Sequence, residues 1–110
     1  MNRFEEFEKR IDKFVEDRDW GQFHSPANLA KSIAIEASEL LECFQWDEEN
    51  YELEDVKDEL ADVMNYCIQM SHVLGVDIVD ILNAKQDKSE KKYPVEKAKG
   101  VSTKYDKFGY

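Results

Sequence analysis

The sequence predicts an all-α protein. Apolar residues recur at spacings of three and four through most of the chain, and no stretch alternates polar and apolar residues long enough for a strand. Breakers are scarce too, with four glycines and two prolines in 110 residues. Phe4, Phe7, Ile11, Phe14 and Val15 set a narrow apolar seam on a first helix over residues 2–18. Trp20-Gly21-Gln22-Phe23-His24 breaks it. Ser25-Pro26 starts the second helix, because a serine side chain caps free amides and proline is tolerated in the first turn. This helix runs to about Cys43 and carries Leu29, Ile33 and Leu40 on its apolar side. A connection with two aromatics and three acids, residues 44–50, leads into a long third helix marked by Val56, Leu60, Val63, Cys67, Met70 and Leu74. Gly75 is placed to end it. Asp77 caps a fourth helix with Ile78, Ile81 and Leu82, which fades near residue 90 and is stopped by Tyr93-Pro94.

Beyond Gly100 the pattern is lost. One domain over residues 1–100 is therefore expected, followed by a polar tail over 101–110. The architecture expected is a four-helix core with an extra short C-terminal helix or tail. Its helices carry more apolar seam than one short bundle can hide, so completion by a second chain is expected.

Twenty-five acidic against fifteen basic residues give a net charge of −10, which disfavours binding along a nucleic-acid backbone. No apolar run approaches the roughly 20 residues of a membrane span, and the charged first residues do not read as a signal peptide. Cys43 and Cys67 have neither zinc-site nor disulfide-framework spacing. They read as small core residues of a cytoplasmic, soluble protein. The acids concentrate in residues 36–62, whereas Lys85, Lys88, Lys91, Lys92, Lys97, Lys99, Lys104 and Lys107 enrich the C-terminal third.

The placement of certain acids is more informative than their number. At about 100° per residue, Glu36 falls between Leu29, Leu40 and Cys43, with Glu39 at the edge of that stripe. Glu59 and Asp62 likewise border the stripe of Val56, Val63 and Met70, with Tyr66 one turn further on the same flank. A single i, i+3 acid pair arises easily on a solvated helix face. Two such pairs beside the packing surfaces of consecutive helices bring four carboxylates to the margin of a core, where uncompensated charge costs several kcal/mol per ion. An all-oxygen set of this kind suits Mg²⁺, with Mn²⁺ as a substitute, rather than zinc.

Glu36-Ala-Ser-Glu39 followed by Glu59-Leu-Ala-Asp62 resembles the paired E-x-x-E and E-x-x-D motifs of the MazG-like, all-α nucleoside triphosphate pyrophosphohydrolases. Trp20-Gly-Gln-Phe-His24, Asn28-Leu29, Phe44-Gln45-Trp46, Tyr66 and Lys92-Tyr93-Pro94 look like the pattern of the dCTP pyrophosphatase branch, so the resemblance spans roughly residues 14–95. It implies hydrolysis of a (deoxy)nucleoside triphosphate, dCTP or a modified pyrimidine dNTP, to the monophosphate and pyrophosphate. It also implies a homodimer or homotetramer and Mg²⁺ held by Glu36, Glu39, Glu59 and Asp62. The catalytic candidates are Glu39, as the base that takes a proton from water, and Glu36. The same resemblance places His24 and Asn28 near the nucleotide and gives Lys85 and Tyr93 substrate contacts.

Each of these has a plainer reading. His24 also serves as a loop residue or cap, and the lysines around residue 90 also suit a helix C-terminus. Trp46 and Phe44 stand beside the acidic loop, where an aromatic stacks on a base or fills core; Trp46 is the favoured stacking residue and Trp20 a packing one. Tyr66 either packs or offers its hydroxyl to sugar or phosphate. Two departures from the family pattern stand out: Ser89 lies near the place where relatives often carry asparagine, and the loop between the acid pairs is shorter than in the eukaryotic dCTP enzymes.

Rival readings are a phosphoribosyl-ATP pyrophosphohydrolase on the same scaffold and a non-enzymatic acidic helical interaction module. A di-iron bundle is excluded, because it needs Glu-x-x-His pairs and neither His24 nor His72 has a glutamate three residues before it.

Overall fold

The structure is a computed structural model and describes residues 1–107. Its helices are α1 (Arg3–Asp17), α2 (Pro26–Glu42), α3 (Leu53–Leu74), α4 (Ile78–Lys92) and the short α5 (Val95–Ala98), with 3₁₀ turns at Trp20–Phe23 and Tyr105–Lys107. No strand occurs among the described residues. The chain divides into two compact units, Met1–Val76 and Asp77–Tyr110.

In the first unit the local chemistry marks each boundary. Asn2 caps α1 by accepting from Glu5 N at 2.8 Å, and Ser25 Oγ accepts from Asn28 N at 3.1 Å to start α2. Asp19 takes a left-handed conformation with φ 53°, a region that Asp enters more readily than most residues, and so turns the chain out of α1. Gly75, at φ 69°, ends α3 without the Cβ penalty any other residue would carry there. Between α2 and α3, Asp47 Oδ1 accepts from Glu49 N and Asn50 N, both at 3.0 Å, while Phe44 and Tyr51 meet edge to face at 4.9 Å. The Asn50 side chain and these amides hold the Asp47 carboxyl below its ordinary pKa. An acid of this connection therefore serves to fold it.

Helices α2 and α3 form the central pair, and α1 rests on α3 and on the Trp20–Phe23 turn. Ile11, Leu29 and Ile68 are the buried hydrophobic residues among those described, joined by Ser71, whose hydroxyl donates to Ile68 O at 2.6 Å. Leu41 remains 72% exposed, Ile35 58% and Leu60 51%, on the two helices that carry most of the core.

A further contact ties α1 to α3. His72 Nδ1 lies 2.6 Å from Asp12 Oδ1 and Nε2 lies 2.8 Å from Glu8 Oε2. Only the imidazolium has two N–H groups to satisfy both. Burial lowers the His72 pKa, but the hydrogen bonds to Glu8 and Asp12 outweigh it and hold the pKa above its ordinary value. The stabilisation is fully present below the unfolded pKa of about 6.5 and is lost as pH rises through the raised folded value. Amide exchange in α1 should therefore accelerate relative to α2 and α3 as pH rises above about 6.5, and His72→Gln should remove that difference.

In the second unit, Asp77 Oδ1 accepts from Asp80 N at 3.0 Å and caps α4. Tyr93 N donates to Ser89 O at 2.9 Å at the other end, before Pro94 forces the break. The stretch expected as a tail contains the short turn at Tyr105–Lys107; residues 108–110 lie outside the described residues. No described helix is long and apolar enough to cross a membrane.

Candidate active site

The four expected carboxylates meet at the α2–α3 contact. Counted outward from Glu49 in the connection, Glu39 and Glu59 stand ten residues away, and Glu36 and Asp62 thirteen. A hairpin folded at that point brings the two pairs to the same height. One oxygen each from Glu36, Glu59 and Asp62 lies within 4.8 Å of the others. Glu39 joins through a hydrogen bond between its carboxyl and that of Glu36.

The electrostatics of this cluster are unbalanced. The hydrogen bond to Glu39 comes first, then burial and the charges of Glu39, Asp62 and Glu59; together they push the Glu36 pKa up to about 7. Burial and the neighbouring Glu39 raise Glu59 as well. Glu36 Oε2 and Glu59 Oε2 are buried and accept no hydrogen bond. Buried carboxylate oxygens without donors are the feature a divalent cation would satisfy, and the set contains only hard oxygen donors. Cys43, whose thiol donates to Glu39 O at 3.6 Å, has its pKa raised by burial and by Glu59, so it stays a protonated thiol.

Beside Asp62 opens a cavity of about 200 Å³. Its walls include Trp20, His24, Asp62, Asn65, Tyr66 and Gln69. The Tyr66 pKa is raised by burial and then by the charges of Glu36, Asp62 and Glu39, so the phenol stays protonated and can donate. His24 also borders a second cavity of about 350 Å³ with Asp12, Gly21 and His72.

Of the other expected site residues, Asn28 Nδ2 donates to Phe23 O at 2.9 Å, which fastens the Trp20–Phe23 turn to α2. Trp46 is 89% exposed in the connection, whereas Trp20 meets Phe14 edge to face at 5.5 Å and lines the cavity. Lys85 lies exposed on α4, and Tyr93 closes that helix, both in the second unit. Asn65 and Gln69 escaped the sequence reading. Their signal was present in the spacing, since 62, 65, 66 and 69 share one helix face.

The MazG-like family model matches residues 31–108. The chain belongs to the MazG-like family. This MazG-like chain is 34% identical to dCTP pyrophosphatase 1 of Bos taurus and 32% identical to that of Homo sapiens, each over 102 residues. Both alignments take in 84% of this chain and 60% of the relative, so the chain spans about 60% of the length of the curated proteins it matches. Among solved structures it resembles a pyrophosphatase from Archaeoglobus fulgidus, with a TM-score of 0.75 and 34% identity over 86% of this chain and 94% of that one. The carboxylates, Tyr66 and most of the cavity wall lie inside the matched region, and Trp20 and His24 just before it.

Proposed function

We propose that this MazG-like chain hydrolyses a deoxynucleoside triphosphate, dCTP or a modified pyrimidine dNTP, to the monophosphate and pyrophosphate in a Mg²⁺-dependent reaction. The observation that carries the reading is the convergence of Glu36, Glu59 and Asp62 within 4.8 Å, with two buried oxygens left without donors. The relatives named dCTP pyrophosphatase direct the substrate choice toward dCTP.

Glu36, Glu39, Glu59 and Asp62 are the residues that would hold Mg²⁺, with Mn²⁺ as a substitute. A bound divalent ion supplies charge neutralisation for the triphosphate and a lowered pKa for water. Glu39 is the base assigned to the water proton, with Glu36 as its hydrogen-bonded partner. Tyr66 donates its hydroxyl to the sugar or phosphate. His24 borders the nucleotide, while Asn28 holds the turn that carries it. For Lys85 and Tyr93, in the second unit, a substrate contact is supported by the family resemblance alone.

Trp20 and Trp46 are both candidates for stacking on the base, and the cavity wall favours Trp20. Aromatic stacking contributes about 1–3 kcal/mol per base. Trp20→Ala should therefore raise KM about tenfold or more with a smaller change in kcat, whereas Trp46→Ala should leave KM within about twofold if Trp20 is the platform. Steady-state kinetics on the two variants decide between them.

The exposed Leu41, Ile35 and Leu60 support a homodimer or homotetramer that covers these faces in a cytoplasmic enzyme. Turnover of a panel of canonical and modified dNTPs, with and without Mg²⁺ and with the products identified, tests the proposal. Release of pyrophosphate and a monophosphate supports it. A chain that hydrolyses none of the panel, or that works unchanged in chelator, contradicts it.

A further inference from the structure

Glu59, Asp62, Tyr66 and Gln69 lie on one face of α3, with Asn65 at its edge. Asn65 and Gln69 are one turn apart, and both border the cavity beside Asp62. Gln69 Nε2 donates to Asn65 Oδ1 at 2.6 Å. That bond engages the Gln69 nitrogen and the Asn65 oxygen and leaves the Asn65 nitrogen and the Gln69 oxygen to find partners elsewhere. Gln69 Oε1 is buried and accepts no hydrogen bond, and no described residue is bonded to Asn65 Nδ2. A neutral donor–acceptor pair left open beside a cavity matches a planar ring edge with adjacent acceptor and donor atoms.

From Asp62 to Gln69 the helix advances seven residues, about 10 Å at 1.5 Å per residue. This is comparable with the reach of a nucleotide from its α-phosphate to the far edge of its base. A triphosphate drawn to the carboxylates would thus pass its sugar by Tyr66 and turn its base edge toward Asn65 and Gln69. Rotation of the Gln69 carboxamide, which gives up its bond to Asn65 Oδ1, would turn its buried oxygen toward the ring. Cytosine offers N3 as acceptor and its 4-amino group as donor, the complement of Asn65 Nδ2 and Gln69 Oε1.

We propose that Asn65 and Gln69 are specificity-determining residues that read the N3/4-amino edge of a cytosine-type base in the cavity beside Asp62. The assignment rests on the nucleotide-hydrolase reading above, which it deepens. Gln69→Met keeps the length of the side chain and removes the acceptor. Asn65→Leu removes the donor from the other half of the pair and provides an independent variant should the first not fold.

The probes are dCTP and the triphosphate of the same deoxynucleoside lacking the 4-amino group, each also as its α,β-imido analogue. They are compared by kcat/KM in Mg²⁺ and, with the imido forms, by calorimetric binding. The wild-type chain should favour the amino-bearing base roughly 10- to 100-fold, the usual consequence of leaving a buried polar group unpaired. Gln69→Met should reduce that ratio to about twofold or less, with hydrolysis of the amino-free nucleotide retained. Asn65→Leu should weaken dCTP by a similar factor. An unchanged ratio in Gln69→Met, no discrimination by the wild-type chain, or no binding of either imido analogue overturns the assignment. If the imido analogues bind with the expected ratio but no dNTP is hydrolysed, base reading stands and the hydrolase reading falls.

Discussion

Replacing Glu39 by glutamine should lower kcat by about 10²–10⁴-fold, the usual contribution of a general base, while the helical content of the chain is unchanged. The side chain is half-buried where α2 meets α3 and hydrogen-bonds to Glu36. Glutamine preserves the volume and one acceptor oxygen but cannot take a proton from water. Asp62→Ala should abolish turnover as completely, for a different reason: it removes a ligand oxygen from the group formed with Glu36 and Glu59. The two variants separate in a metal titration. Glu39→Gln should retain measurable Mn²⁺ binding, whereas Asp62→Ala should lose at least about 100-fold in affinity. Equal and modest losses in both would favour an acidic interaction surface over a catalytic centre.

The second large effect is on stability. Without a cation, acids pushed together at the α2–α3 contact oppose folding, so Mg²⁺ should stabilise the native state by about 2.7 kcal/mol at 100 times its dissociation constant. For a unit of this size that corresponds to a rise in Tm of about 10 °C or more. Glu36 gives the effect its pH signature. Its folded-state pKa of about 7 lies above the ordinary 4.5, so the folded chain holds the extra proton between those values. In chelator, this group's contribution should make stability fall as pH rises from about 4.5 to about 7, and level off above. Glu36→Gln should flatten that dependence relative to the parent and make the metal-free chain more stable at pH 8. It should also abolish most of the stabilisation by Mg²⁺. Comparison with the parent at each pH cancels the His72 contribution, which both proteins share.

What the sequence made legible follows from how local each signal was. Ser25, Gly75 and Asp77 mark helix ends through bonds within a few residues, and the structure places caps at all three. Glu36, Glu39, Glu59 and Asp62 stood out because charge beside an apolar stripe is costly, and that cost is visible on a helical wheel. The His72 contact with Glu8 and Asp12 joins residues 60 or more apart, a pairing that no helical periodicity encodes. Asn65 and Gln69 were missed because neutral carboxamides carry no comparable penalty on a surface. Only the cavity and the open Gln69 oxygen distinguish them from ordinary solvated side chains. Trp46 is legible through its place beside the acidic loop, where it is 89% exposed, while the cavity position of Trp20 depends on how the turn after α1 meets α3.

The most direct measurement is hydrolysis of dCTP in isotopically labelled water, with and without Mg²⁺, with both products analysed by mass spectrometry. The account predicts dCMP and pyrophosphate in equal amounts, the label on the dCMP phosphate, and no turnover in chelator. Release of dCDP with labelled inorganic phosphate, or the same rate without a divalent ion, would contradict it.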